Sequence, residues 1–260
     1  MKIKEILRLL DENAPFKTAE SFDNVGLLIG SGDRDVTRVL CCLDITRGVV
    51  EEAVSKGAEL IVSHHPVIFR ALKSIPNNSP VKLLIENNIA AIAMHTNLDI
   101  AESGVNDALV DALGFSRLCT LEITQTDGKG FGAVCDIPRS LTVKELADLC
   151  QEKLGTGCVR FSASFENGHR IKRAGVCCGA GIDEKVMRLA EENGCDAIIT
   201  GDIKHNFWVE AEYLGIALID AGHYQTENAA KSILAKMISE EFPSLSVSVS
   251  EKECNPCGYI

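Results

Sequence analysis

Three short clusters in this sequence hold imidazole and carboxylate groups close enough together to grip a cation: Ser63-His64-His65-Pro66, His95-Thr96-Asn97-Leu98-Asp99 and Gly222-His223-Tyr224-Gln225-Thr226-Glu227. Mixed imidazole and carboxylate donors suit zinc, iron, manganese or nickel and do not discriminate among them. Each cluster follows an apolar run, Leu60 to Val62, Ala90 to Met94 or Ile216 to Ile219. In parallel α/β sheets, ligands collect at the carboxyl ends of strands, where loops present side chains. Adjacent residues of an extended segment point to opposite sides, so His64 and His65 are expected to face different ions, which favours a two-metal site over a surface pair. Asp99 has two oxygens with which to bridge cations about 3.5–4 Å apart. His95 is open between a ligand, a partner that orients a ligand, a proton carrier and a helix-capping or core residue. His223 and Glu227 share a helical face if Glu227 lies in the first turn of the periodic stretch 228–238, and an ordinary ion pair is the alternative.

A fourth cluster, Thr200-Gly-Asp-Ile-Lys-His205, offers Asp202, Lys204 and His205 for substrate binding or proton transfer, or simply a solvated helix start. The glycines from Gly26 to Gly32 lack the Lys-Ser/Thr ending of a phosphate loop, and Cys178-Gly-Ala-Gly181 lacks a third glycine, so both are weak anion-binding hints. Of the eleven cysteines, most sit in apolar runs such as Val39 to Leu43 and are expected to act as small core hydrophobes. Cys254-Asn-Pro-Cys257 has chelating or redox spacing, but no second such pair completes four zinc ligands.

The elements that must position these groups follow a regular alternation. Thr37 to Leu43, Gly48 to Lys56 and Ala58 to Val62 read as strand, helix, strand, the unit of a mostly parallel sheet. Ile89 to Met94, Ala174 to Cys178, Ala197 to Thr200 and Ile216 to Ile219 read as further buried strands. The halves also echo each other: Arg38-Val-Leu-Cys-Cys resembles Arg173-Ala-Gly-Val-Cys-Cys, and Gly57 to Ser63 resembles Gly194 to Thr200. His95 and Asp99 align with His223 and Glu227 at one common offset. This reads as an internal duplication. Residues 124–173 form an expected hairpin and helix between the halves, placing the boundary near Thr124. The expected division is a first α/β lobe of residues 1–124 completed by 221–260, and a second of 125–220. With ligand-type residues in both, the lobes are expected to work as one unit.

The chain has 260 residues, 46% of them hydrophobic, and a formal net charge of −11, which disfavours nucleic-acid binding through counterion release. No apolar stretch approaches the roughly 20 residues that span a bilayer, so no membrane partner is expected. The start MKIKEILRLLDENAP is a charged amphipathic helix without an apolar leader, which points to reduced thiols and a cytoplasmic location.

Taken jointly with Ser21-Phe-Asp-Asn-Val-Gly-Leu-Leu-Ile-Gly30 and Cys42-Leu-Asp-Ile-Thr46, the motifs around His64, His95, Asp202 and His223 resemble the Nif-three-like dinuclear-metal family. Its bacterial members are commonly called GTP cyclohydrolase 1 type 2 homologs. The resemblance spans nearly the whole chain and implies two interlinked α/β lobes with two divalent metal ions in the cleft. It carries the metal ligands onto His64, His65, Asp99, His223 and Glu227, and implies a homohexamer built as a trimer of dimers. The 124–173 segment is too short for the domain that longer members insert there, and Cys254-Asn-Pro-Cys257 falls outside the family pattern. The expected chemistry is hydrolysis by water whose pKa the ions lower towards about 7. For a small-molecule substrate such as a GTP-type nucleotide, that means opening the imidazole ring at C8 with release of formate, His95 or His205 carrying protons. A metal-delivery or interaction protein without turnover, and a two-metal phosphoesterase, are the alternatives.

Overall fold

The computed structural model describes residues 1–165 and 168–258, and by contacts the chain forms two compact units, residues 1–104 with 228–254, and 105–227 with the tail from Asn255. The linking segment and the C-terminal segment thus each contain residues outside the described ones, 166–167 and 259–260.

In the first unit the chain runs through α1 (Ile3–Asn13), β1 (Gly26–Ile29), β2 (Arg38–Cys42), α2 (Arg47–Lys56), β3 (Leu60–Ser63), α3 (Pro80–Glu86), β4 (Ala90–Ala93) and α4 (Thr96–Ile100). The second unit contains α5 (Val105–Leu113), β5 (Ser116–Ile123), β6 (Gly130–Leu141), α6 (Val143–Leu154), β7 (Arg160–Phe161), β8 (Ile171–Val176), α7 (Glu184–Glu192), β9 (Ala197–Thr200), α8 (His205–Leu214), β10 (Ala217–Asp220) and α9 (His223–Glu227). The chain then supplies α10 (Ala230–Glu241) and β11 (Ser246–Val249) to the first unit.

The first sheet has the order β1-β4-β3-β2-β11, parallel throughout except that β1 runs antiparallel to β4. Every residue of β3 and β4 is buried, as continuous apolar runs between helical layers require. Leu40, Cys42, Ile61 and Ala91 join Val49, Val50 and Ala53 of α2 and Leu84 of α3 in one core cluster. The alternate residues Val39, Cys41, Leu60 and Val62 are buried too, as the two-residue period of a strand demands of a sheet covered on both faces. Thr46 caps α2 through its side-chain oxygen, which accepts from Val49 N. The glycine-bearing stretch from Gly26 is therefore the start of an edge strand, not a phosphate loop.

The second sheet has the order β5-β6-β8-β9-β10-β7, and only β8, β9 and β10 are mutually parallel. β5, β6 and β7 join antiparallel, so this sheet is mixed where a mostly parallel one was expected. Its central path repeats that of the first unit: β8-α7-β9-α8-β10-α9 matches β2-α2-β3-α3-β4-α4 in element order and strand adjacency, and each path ends beside an antiparallel strand. The division falls at Gly104, not near Thr124, because β5 pairs along most of its length with β6 and α5 packs on both. Seven of the eleven cysteines are buried, as expected of small core hydrophobes. Among the described residues no helix is long and apolar enough to cross a membrane.

An acid-sensitive clamp follows from α2. Glu52 is buried, accepts hydrogen bonds from Ser250 Oγ (2.6 Å), Glu251 N (3.0 Å) and Lys252 N (3.1 Å), and pairs with Lys56 at 2.7 Å. Burial alone raises a carboxyl pKa; here the donors outweigh it and hold Glu52 down to about 2 from an ordinary 4.5. A depressed pKa stabilises the fold above the ordinary value and loses that stabilisation as pH falls from 4.5 towards 2. Glu52→Gln is therefore expected to lower stability at pH 7 by about 2–3 kcal/mol, and to shrink the stability loss between pH 5 and 2, in denaturant titrations across that range.

Candidate metal centre

In the first unit, the backbone of His64 and His65 extends the β2–β3 ladder by one step each, His64 N donating to Cys42 O (3.1 Å) and His65 N to Leu43 O (2.8 Å). Ser63 Oγ donates to His65 O at 2.7 Å, turning the chain out of the strand just before Pro66. The rings consequently do not point apart as in an extended segment: their centroids lie 5.1 Å apart with planes 39° to each other. His95, at the N-cap position of α4, completes a triangle, its ring 5.3 Å from that of His64 and 5.4 Å from that of His65. Nitrogens of all three lie within 4.8 Å of one another, a spacing at which a cation can be held. Asp99, buried one helical turn further on, brings Oδ1 to 3.6 Å from His64 Nε2.

Every ring in this unit is aimed through Nδ1. His64 Nδ1 meets Met94 O at 2.7 Å, His65 Nδ1 meets Asp44 Oδ1 at 2.8 Å, and His95 Nδ1 meets Asp23 Oδ1 at 2.9 Å. An acceptor at Nδ1 holds that nitrogen as the donor and leaves Nε2 with its lone pair, the arrangement that orients metal-binding histidines. Asp23 is itself fully enclosed and also accepts from Thr96 N and Thr96 Oγ1. Burial opposes its charge, but the hydrogen bonds from His95 and Thr96 prevail and hold its carboxyl at about 2.

The second unit presents a smaller set. His223 opens α9, and its Nε2 lies 2.9 Å from Oε2 of buried Glu227, on the shared i, i+4 face expected from the spacing. Asp202 Oδ2 receives His223 Nδ1 at 2.8 Å, again the orienting contact. Glu227 has room because residue 179 is glycine: at φ +58 this residue approaches so closely that a Cβ would stand 1.9 Å from Glu227 Oε1. Gly179 N also donates to Thr226 Oγ1 at 3.0 Å. Gly179, Asp23 and Asp44 carry no local signal of these roles in the sequence, because each acts on a residue remote from it along the chain. His205 is the exposed first residue of α8 and belongs to no candidate ligand group among the described residues.

Fold and site together define an α/β protein of two sheets that carries imidazole and carboxylate groups fit for metal binding. The chain belongs to the Duf34/NIF3 (NGG1p interacting factor 3) family, whose profile matches residues 1–256. It is similar to a GTP cyclohydrolase 1 type 2 homolog of Clostridium perfringens, with 32% identity over the whole of both chains. Staphylococcus aureus protein SA1388 has a crystal structure that superposes with TM-score 0.91 at 32% identity, covering 100% of this chain and 99% of that one. A Bacillus cereus protein related to NIF3 superposes with TM-score 0.92 at 22% identity, over 100% and 99% of the two chains.

Proposed function

We propose that this protein is a dinuclear metal-dependent hydrolase of the GTP cyclohydrolase 1 type 2 kind, with two divalent ions held by His64, His65, Asp99, His223 and Glu227. The observation that carries the reading is the repeated aiming of imidazoles through Nδ1, in both units, beside buried carboxylates. The duplicated strand path supports it too, since His95 and Asp99 in the first unit and His223 and Glu227 in the second follow equivalent strands. The name of the Clostridium relative supports the choice of reaction. As in the resemblance, the subunits assemble as a hexamer of three dimers.

Bound divalent ions supply Lewis acidity and bring the pKa of water towards about 7. The protein's own residues do the rest. His95, fixed by Asp23 at Nδ1, keeps Nε2 to take up or release a proton. The rings of Phe22 and Phe69 stand edge-on 6.4 Å apart, with Phe69 6.1 Å from His95, giving a planar heterocycle an apolar neighbour. His205 is the second proton carrier of the reading.

Metal-loaded protein is expected to release formate from GTP. His95→Ala is expected to cut that rate by about 10²–10⁴-fold while elemental analysis finds most of the metal retained; His205→Ala should likewise slow turnover without metal loss. No formate from protein with full metal content removes the cyclohydrolase reading. Release of phosphate from phosphodiesters would instead select the phosphoesterase, and ready ion transfer to acceptor proteins without turnover the delivery role.

A further inference from the structure

Glu253 lies far along the chain from every candidate ligand in the first unit, yet its carboxylate is spent on two backbone amides beside one of them. Its side chain is 1% exposed and accepts from Leu43 N at 3.0 Å and from Asp44 N at 2.5 Å, with Lys231 Nζ 3.4 Å away. Those two residues hold His65 at both ends: Leu43 O receives His65 N at 2.8 Å, and Asp44 Oδ1 receives His65 Nδ1 at 2.8 Å. The segment carrying Glu253 is itself fixed, since Ser250 Oγ donates to Glu52 and receives Glu253 N.

A buried carboxylate paired with one lysine is a poor source of stability, because desolvation offsets what the pairing gains. Its effect here is geometric: it gathers consecutive N–H groups and so fixes the direction of the Asp44 side chain. We infer that Glu253 is a positioning residue for His65, acting through Leu43 and Asp44. The purpose of that positioning rests on the metal-centre reading; the contact chain does not.

Histidine long-range ¹H–¹⁵N spectra of metal-free protein test the chain directly. In the unaltered protein His65 should show a single tautomer with the proton on Nδ1. Glu253→Gln replaces one acceptor oxygen with a donor facing a backbone N–H, and is expected to move His65 to mixed tautomers while His64, held by Met94 O, keeps its signals. Zinc affinity, read by competition with a chromogenic chelator, should fall by about 10–100-fold, the usual effect of losing an orienting partner. Val49→Ala, a core variant of the same unit with lowered stability, should change neither readout. Unchanged His65 signals in Glu253→Gln overturn the inference, even if that variant melts earlier. Shifted His65 signals in a protein that takes up no zinc would sustain the positioning role and remove the metal-centre reading instead.

Discussion

Replacing His64 with alanine is expected to leave a folded protein whose metal affinity has dropped by more than about 100-fold, since a lost ligand costs more than a lost orienting partner. His64 is fully buried, sits between His65, His95 and Asp99, and has its ring fixed by the main-chain carbonyl of Met94. Its removal also leaves Met94 O without this donor inside the protein, at about 1–3 kcal/mol. Elemental analysis after dialysis reads the metal, and circular dichroism confirms the fold. Chelator treatment separates the two losses. An ion bound at 100 times its Kd stabilises the native state by about 2.7 kcal/mol, so a chelator should lower the melting temperature of the unaltered protein and leave that of His64→Ala unmoved. Equal metal content in the two proteins would refute His64 as a ligand.

Gly179→Ala is expected to weaken metal binding by more than about tenfold without any change in a ligand's identity. The added methyl would stand 1.9 Å from Glu227 Oε1 and 3.4 Å from His223 Nε2, at a backbone φ of +58 that L residues rarely adopt. The carboxylate is the easier of the two to displace, so it gives way before the loop does. Strain in the left-handed region adds about 1 kcal/mol to the cost in stability. Glu227→Gln keeps the shape and removes the charge. If Gly179→Ala binds metal as the unaltered protein does while Glu227→Gln does not, the close approach at Gly179 has no bearing on the site.

What the sequence made legible is what repeats locally. The apolar runs of β2, β3, β4, β8, β9 and β10 and the self-similarity of the two halves could be read because a buried strand states its environment in four or five consecutive residues. β11 could not, since Ser246 to Val249 is a four-residue, half-exposed strand, too short for its alternation to stand out and without the continuous apolar run of the others. Nor could the division at Gly104, which depends on β5 finding β6. The His223–Glu227 pair was readable from its helical spacing, whereas the tilt that brings His64 and His65 together depends on Ser63 turning the strand end. Asp23, Asp44, Gly179 and Glu253 act on partners up to 210 positions away, and no periodicity records such a contact.

The first sheet is completed by strand β11, supplied after residues 105–227 of the second unit have been made. On the ribosome, the contiguous residues 105–227 can therefore reach their native form before the amino-terminal unit, reversing the usual order of domain folding during translation. Until residues 246–249 emerge, β2 offers Val39, Leu40 and Cys41 as an unpaired apolar edge, an invitation to wrong strand pairing that the arrival of β11 withdraws.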